Sequence, residues 1–486
     1  MTTQRSTEKL TEGSHYNPYL NGIYAPVDDE ITASELRVEG EIPRDLFGAY
    51  VRNGPNPGKS EMAMHHWFDG DAMLHGIFFE DGKATYRNRY VRTDDFVDGV
   101  EGNCAATGIL EPAKRLNGQT VYKDTSNTDV VFHNGQLMSL WYISGQPVRL
   151  NPVTLETIGN ETFDGKLPRN ISAHSKVDGK NGDFVFFDYH LYQPWMSYGV
   201  VNAQNELVNF QTVELPGPRL PHDMGLTENY AVLMDLPVVF TDKALQNHTW
   251  NIHIPKDLPA RFGVVPRRGK AEEIKWFSCD PCYIYHVSNA WEEGDEVVMH
   301  ACKMIPNHQL PDPSFGAYST MALVLTLQAR PFEWRFNMKT GQHTERQLSD
   351  EVMEFPAVNQ DHIGYKSRYS YAASIPNTKT LVFDGLIKTD LMSGRTERHD
   401  FGFGIFGSEP AYAPRIGGQG EDDGYVLTFV TNAVTNQSEV LILDAKNFTD
   451  KPVARVFLPQ RVPAGFHACW ANGDRINANL LRQMES

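Results

Sequence analysis

The chain has 486 residues, 41% of them apolar, which is enough to bury one or more substantial cores. Its formal net charge of −17 and its isoelectric point near 5.4 argue against a nucleic-acid partner, because phosphate binding draws on clustered Lys and Arg. The N-terminus is polar and lacks the apolar segment of a signal peptide. The most apolar run, residues 230–240, is interrupted by Asp235 and Pro237 and is too short for a membrane span. We therefore expect a cytoplasmic protein with no transmembrane segment.

Short runs rich in aromatic and β-branched residues recur along the chain, each beside the Gly, Asn or Asp residues of a hairpin turn. The clearest are residues 182–191, 296–305, 380–387, 425–432 and 439–445. Helical patterns are weak, and short helices are expected only near residues 32–36 and 241–246. Hairpins over the whole length favour an all-β closed propeller over a sandwich. We predict a mobile tail over residues 1–15 and a single domain over 16–486.

Four histidines share a local setting, since each lies in or beside an apolar, strand-like stretch that is followed by a turn. They are His174, His222, His286 and His467. Far apart in the chain, they could meet only if the blades of a ring converge on its axis. Four neutral imidazoles would suit Fe(II) and leave it positions for O2. A histidine in a strand is more commonly a core residue, so spacing leaves both interpretations open.

Two glutamates lie in apolar, proline-containing stretches where an unpaired charge would be costly. They are Glu354 in MEFPAVN and Glu409 in GSEPAYAPR. A histidine that binds a metal needs an acceptor for its second ring nitrogen. Both glutamates are therefore candidate partners of the four histidines.

Two other groups contain metal-binding residue types. The segment HHWFDGDAMLH, residues 65–75, is dense in histidine and aspartate, but a tight Asp-Gly-Asp turn with Trp67, Phe68 and Met73 packed inward explains it more simply. Cys279 and Cys282 form a C-x-x-C without a second pair at zinc-site spacing, so a turn that enters a strand is the favoured interpretation.

The chain resembles the carotenoid cleavage oxygenases, a non-heme iron family that includes carotenoid, apocarotenoid and stilbene cleavers and the retinoid isomerase. The resemblance rests on motifs in family order over nearly the whole chain: NPYLNGIYAPV, EGEIPRDLFGAYVRNGPNP, HHWFDGDAMLHG and GFHACW. It implies a seven-bladed β-propeller capped by loops and short helices, with one Fe(II) on the axis and O2 as co-substrate. The family's four iron ligands fall on the four histidines already named, and two of its three supporting glutamates fall on Glu354 and Glu409.

Three departures from the family pattern bear on function. Tyr142 stands where the third supporting glutamate is usual, and Trp141 stands where stilbene cleavers carry a lysine that holds the substrate phenol. Residues 241–263, which form a membrane-dipping patch in some members, are polar here and predict at most weak membrane-surface contact. Phe68, Trp141 and Trp470 are candidate walls of the substrate pocket.

The predicted function is cleavage of a carbon–carbon double bond by O2 to give two carbonyl products. Loss of the phenol-binding lysine favours an apocarotenoid or carotenoid substrate, whereas the polar membrane-patch region favours a smaller aryl alkene such as a stilbene. A retinoid-type isomerase and a propeller without catalytic activity remain as alternatives.

Overall fold

The structure, a computed structural model, contains seven antiparallel sheets that form the blades of a seven-bladed β-propeller. This confirms the all-β propeller that the sequence predicts. The tail expected over residues 1–15 lies outside the described residues, and the domain limits at 16–486 stay a prediction. The described residues are 16–58, 64–100, 108–110, 115–116, 119–120, 122–191, 193–242, 252–306 and 309–478.

Blades 2 to 6, numbered along the chain, each contain four strands in up-and-down order, so that strands adjacent in sequence pair with one another. Blades 2 and 3 comprise Asp129–His133, Gln136–Leu140, Val148–Leu150 and Thr157–Asn160, then Lys176–Val177, Phe184–Tyr189, Met196–Val201 and Leu207–Val213. Blade 4 comprises Gly225–Leu226, Tyr230–Asp235, Ala260–Pro266 and Lys275–Cys279. Blades 5 and 6 comprise Ile284–Glu293, Glu296–Met304, Ala329–Asn337 and His343–Gln347, then Met353–Ala357, Tyr369–Ser374, Gly385–Asp390 and Arg395–Asp400.

Blades 1 and 7 combine strands from the two ends of the chain, and this closes the ring. Blade 1 is ordered Ala468–Asn472, Gly48–Arg52, Met73–Glu80, Lys83–Tyr90 and Thr32–Ala33. Blade 7 is ordered Ala411–Pro414, Gly424–Asn432, Gln437–Asp444, Ala454–Phe457 and Val38–Gly40, and Ile405–Gly407 also pairs with its second strand. A late strand is thus innermost in blade 1, while an early strand is outermost in blade 7.

Helices are few and short in the described part of the chain. The α-helices are Asp94–Val100 and Ser319–Val324, and residues 473–478 are also helical. Short 3-10 turns lie at Pro18–Leu20, Gly22–Tyr24, Trp67–Asp69, Ala271–Glu273, Pro313–Tyr318 and Gln360–His362. Two short hairpins, Arg115–Leu116 with Gln119–Thr120 and Val239–Phe240 with Ile252–His253, lie outside the blades. None of the described helices has the length and apolar character that crossing a membrane requires.

The helix expected over residues 32–36 is wrong, because Thr32–Ala33 pairs as an edge strand with Lys83–Tyr90. The helix expected at 241–246 lies mostly outside the described residues. The first expectation rested on a short segment in which local propensity decides little, and tertiary pairing overrides it.

The core between blades 1 and 7 contains the largest side chains of the closing strands. Trp470 is only 2% exposed and belongs to an apolar cluster with Tyr50 and Phe429. The ring centroids of Tyr50 and Phe429 lie 4.9 Å apart. Burying a side chain of this kind stabilises a fold by about 1.5–3 kcal/mol. The closing strand is therefore held by packing as well as by its hydrogen bonds to Gly48–Arg52.

We expect Trp470→Ala to lower the free energy of unfolding by about 3–5 kcal/mol, because it leaves a large cavity where the ring closes. Urea unfolding followed by circular dichroism measures this change. Phe403→Ala is the control, since Phe403 is 100% exposed and its loss should be nearly neutral. Equal midpoints for the two variants would contradict a structural role for Trp470.

Candidate metal centre

One cavity of about 170 Å³ lies on the propeller axis. It is lined by the innermost strand of every blade, which is the first strand in blades 2 to 6, Ala411–Pro414 in blade 7 and Ala468–Asn472 in blade 1. A residue with a ligand-type side chain lies within three positions of the start of every one of these strands. In chain order these residues are Asp129, His174, His222, His286, Glu354, Glu409 and His467. One end of the axis is therefore ringed by imidazoles and carboxylates.

The four histidines identified from the sequence meet at this end. The ring centroid of His174 lies 4.6 Å from that of His222, 5.0 Å from that of His286 and 4.5 Å from that of His467. His286 lies 5.2 Å from His222 and 4.6 Å from His467 by the same measure. One ring nitrogen from each of His174, His222 and His286 falls within 4.8 Å of the other two, a separation that a single metal ion can bridge.

His174 and His222 reach the axis with an unusual backbone conformation. Their φ angles are +67° and +65°, in the left-handed region that residues with a Cβ rarely adopt. Such a conformation costs on the order of 1–3 kcal/mol and is typical of functional sites. The short inner strands Lys176–Val177 and Gly225–Leu226 begin two and three residues after these histidines.

Glu354 and Glu409 each support one histidine. Nδ1 of His286 donates to Oε2 of Glu354, whose carboxylate also accepts from the backbone N–H of Phe355 at 2.7 Å. Nδ1 of His467 donates to Oε1 of Glu409 at 3.0 Å, and the N–H of Ala468 donates to the other oxygen. Nε2 of His286 is thereby left with its lone pair and without a partner in the described structure.

Burial keeps most of these imidazoles neutral. It lowers the pKa of His174, His222 and His286 well below the usual value, and the neighbouring histidines lower each of these pKa values further. Burial also lowers the pKa of His467, but the carboxylates of Glu409, Asp129 and Asp223 together outweigh this effect and the net pKa is raised. Neutral imidazoles present lone pairs, which a metal ion requires.

Several buried nitrogens at this site have no hydrogen-bond partner among the described residues. They are Nε2 of His174, Nε2 of His286 and Nδ1 of His222. A buried polar atom left without a partner costs about 1–3 kcal/mol. A metal ion held among these side chains would give such nitrogens a partner.

Tyr142 lies beside His222, as its sequence position suggests. The two ring centroids are 5.1 Å apart, and Tyr285 lies 4.7 Å from His222 on another side. Nδ1 of His222 has no hydrogen-bond partner in the described structure, so the phenol contacts the imidazole through its ring. Tyr142 therefore does not take over the acceptor role of the glutamate usual at this position.

A small apolar cavity of about 20 Å³ lies against His222, His286 and His467. Phe68, one of the predicted pocket residues, lines this cavity with Trp67, Tyr285, Phe355 and Phe466. Leu325 and Leu381 form another part of its wall.

The other two predicted pocket residues lie elsewhere. Trp141 is buried in the apolar cluster of Tyr142 and Ile143, and the described lining of the cavity does not include it. Trp470 packs between blades 1 and 7, as described above. Neither residue is in the described lining of the small apolar cavity, and a role of either in the substrate pocket stays a prediction.

Three residues that the sequence analysis missed hold the histidine-bearing segments. The Asp129 carboxylate accepts from the N–H of His174 at 3.0 Å. Asp223 accepts from the N–H of Val287 at 2.7 Å and pairs with Lys176 at 2.8 Å. Asp223 directly follows His222 and Lys176 lies two residues after His174, which is the signal that could have identified them.

The metal-binding residue types of the two alternative groups do not belong to the metal-type cluster found among the described residues. His66 caps the turn Trp67–Asp69 by accepting from the N–H of Phe68, and His75 contacts the hydroxyl of Tyr86 at 2.8 Å. In this segment the expectation of a structural turn is correct, although Phe68 also reaches the pocket.

The C-x-x-C also behaves as a structural feature. Cys279 ends the strand Lys275–Cys279, and both it and Cys282 are buried free thiols. Burial raises the pKa of each thiol to about 12, which disfavours the thiolate that metal binding and redox exchange require.

Comparison with known proteins agrees with this geometry. Residues 24–472 match the family model described as "Retinal pigment epithelial membrane protein". A carotenoid 9,10(9',10')-cleavage dioxygenase 1 from Pisum sativum is 35% identical, with 94% of this chain and 90% of the relative covered. A carotenoid cleavage oxygenase from Mycobacterium tuberculosis is 31% identical, with 97% of this chain and 99% of the relative covered.

Solved structures give the same result. The lignostilbene dioxygenase of Pseudomonas brassicacearum superimposes with a TM-score of 0.84 at 26% identity and covers 94% of this chain and 99% of that chain. Cobalt-substituted Synechocystis ACO superimposes with a TM-score of 0.81 at 26% identity, and the match covers 92% of this chain and 97% of that chain. The fold and the matches thus define a dioxygenase of the propeller class. The chain belongs to the carotenoid cleavage oxygenase family, which the retinal pigment epithelial membrane protein model represents.

We expect Asp223→Ala to lower the free energy of unfolding by about 3–5 kcal/mol, because it leaves Lys176 without its buried partner. Thermal or urea unfolding measures the change. Glu39→Ala is the matched control: Glu39 pairs with Arg37 at 2.8 Å on the exposed surface, where a pair contributes about 0–1 kcal/mol. A similar loss in both variants would show that the Asp223 pair has no special role.

Proposed function

We propose that this protein is a non-heme Fe(II) dioxygenase that cleaves a carbon–carbon double bond of an apocarotenoid or carotenoid substrate with O2. The observation that carries the proposal is the convergence of four buried imidazoles at the end of the axis, beside an apolar pocket. Family membership supplies the reaction class, and the site supplies the residues that would perform it.

His174, His222, His286 and His467 would hold one ferrous ion per chain, and Glu354 and Glu409 would fix the orientation of two of these imidazoles. Neutral nitrogen ligands suit a borderline metal such as iron, and a set of four leaves coordination positions for other molecules. The cobalt-substituted form of a structural neighbour is in line with a divalent-metal site on this scaffold.

Iron bound there would supply the one-electron chemistry through which O2 reacts with an alkene. The reaction balances without a further reductant, because the C=C bond breaks and each of its carbons receives one oxygen atom of O2. The side chains around the site have two tasks. Phe68, Phe355 and Phe466 would pack against the planar polyene and keep water from the reacting bond.

The substrate class rests on the residue types at positions 141 and 142. Trp141 and Tyr142 offer no cation for a phenolate, which favours an apolar polyene over a hydroxystilbene. The relatives named for carotenoid cleavage also match this chain at higher identity than the lignostilbene dioxygenase does. A stilbene or other aryl alkene is the second candidate, because the structure of that enzyme superimposes at a TM-score of 0.84. A cytoplasmic location remains part of the proposal.

Oxygen uptake by the iron-loaded protein tests the proposed function. We expect O2 consumption on addition of an apocarotenal or apocarotenol and formation of two carbonyl products that contain label from ¹⁸O2. Uptake with hydroxystilbenes instead would shift the proposal to the second candidate. Conversion of a retinoid ester without O2 uptake would favour an isomerase.

We expect His286→Ala to lose most of its bound iron, because it removes a ligand and leaves the buried Glu354 carboxylate without its imidazole partner. Elemental analysis of the purified protein measures the iron content. The control is the double variant Cys279→Ser with Cys282→Ser, which should retain iron near the level of the unmodified protein. The reverse pattern would assign the metal to the cysteines.

We expect Tyr142→Glu to bind iron or Co²⁺ about tenfold more tightly, since partners of metal-bound histidines contribute 10- to 100-fold in affinity. The carboxylate would give Nδ1 of His222 the acceptor that it lacks. Competition with a chelator at fixed pH measures the dissociation constant. Tyr142→Leu removes the same phenol without adding an acceptor, so an equal gain in that variant would refute the explanation.

A further inference from the structure

The histidine cluster lies between two cavities, of which one is lined almost wholly by apolar groups and the other by polar and apolar groups together. Residues that precede the inner strands, such as Thr128 and Phe466, line the small apolar cavity. Residues within and after the strand starts, such as Lys176, Asp178 and Asn289, line the axial cavity. Among the described lining residues, His467 is the one that both cavities share.

The axial cavity extends from the histidines towards the opposite face of the propeller. Its wall runs from His174 to Gly179 in blade 3, which corresponds to roughly 16 Å along an extended chain. At the far end it is lined by Gln360 and Arg475, and the Arg475 side chain is 57% exposed. A volume of about 170 Å³ lined by polar and apolar groups together can hold several water molecules.

The charges along this wall favour a cation. The Asp129 carboxylate accepts from the N–H groups of Val130 at 2.8 Å and His174 at 3.0 Å and forms no ion pair in the described part of the chain. The positive groups are compensated, because Lys176 pairs with Asp223 at 2.8 Å and Arg475 pairs with Asp361 at 3.0 Å. A negative charge therefore remains beside the histidines.

We propose that the axial cavity is the route by which a hydrated divalent cation enters and leaves the histidine site, separate from the apolar pocket that takes the alkene. This inference rests on the proposed metal site. Moving a hydrated ion through apolar surroundings carries a large desolvation penalty, which the pocket lined by Trp67, Phe355 and Leu325 would impose. The axial route keeps water and carboxylate oxygen beside the ion until imidazole nitrogens replace them.

Narrowing the cavity tests the route. Ala357 and Ser288 line it, are half-buried and belong to inner strands of blades 6 and 5. We expect Ala357→Phe and, independently, Ser288→Phe to slow Co²⁺ uptake by the metal-free protein about tenfold or more, a factor that a modest added barrier produces. Release of Co²⁺ to a chelator should slow by the same factor, so the dissociation constant should stay nearly unchanged.

Two control variants separate a blocked route from a damaged site. Ala433→Phe enlarges an exposed alanine in a blade 7 hairpin and should change neither rate. Leu325→Trp fills the apolar pocket and should slow alkene turnover while Co²⁺ uptake stays at the rate of the unmodified protein. Uptake is followed by the visible absorption of bound Co²⁺ after rapid mixing.

The outcomes distinguish the two levels of the proposal. Parallel slowing of uptake and release in both axial variants supports the route. Normal rates in both variants, or slow uptake in Leu325→Trp instead, would overturn it and leave the metal site intact. A changed dissociation constant with an unchanged release rate would show a damaged site and also count against the route. Failure of the unmodified metal-free protein to bind Co²⁺ would reject the metal site, and the route with it.

Discussion

The antiparallel pairing of Ala468–Asn472 with Gly48–Arg52 is the constraint on which the rest of the structure depends. It joins the last described strand of the chain to one of the first, and only then do all seven inner strands face a common axis. His467 directly precedes this closing strand. The fourth imidazole therefore reaches the cluster as a consequence of ring closure, and the site cannot form in an open ring.

The sequence predicted the architecture and the main site residues because both leave periodic or motif-level signals. Hairpins show as β-branched runs with turn residues between them, and the strands found at Phe184–Tyr189 and Gly424–Asn432 lie where those runs predicted them. The blade count came from family resemblance, since irregular loops hide any fixed repeat. Glu354 and Glu409 were recognisable because a carboxylate in an apolar stretch requires a partner.

Other features of the site depend on geometry that no local pattern records. The left-handed backbone at His174 and His222 depends on how two blades meet the axis, and neither residue type predicts it. The contact of Tyr142 with His222 through its ring, without a hydrogen bond, depends on the angle between two rings. Trp470 shows the limit of reasoning from motifs: its neighbour His467 reaches the axis, while the pleat of the strand sends the indole between blades.

The ring of strand starts has a consequence for how this chemistry could change over time. Four histidines and the acids Asp129, Glu354 and Glu409 occupy corresponding places, and a separate blade supplies each one. Because a separate blade supplies each place, an exchange at one place leaves the strands of the other blades in position, although His286 and His467 also depend on the carboxylates of Glu354 and Glu409. The scaffold thus offers seven positions at which a single side chain can be exchanged. Tyr142, which stands where a supporting acid is usual, changes the electronic character of His222, while the other six places keep their positions.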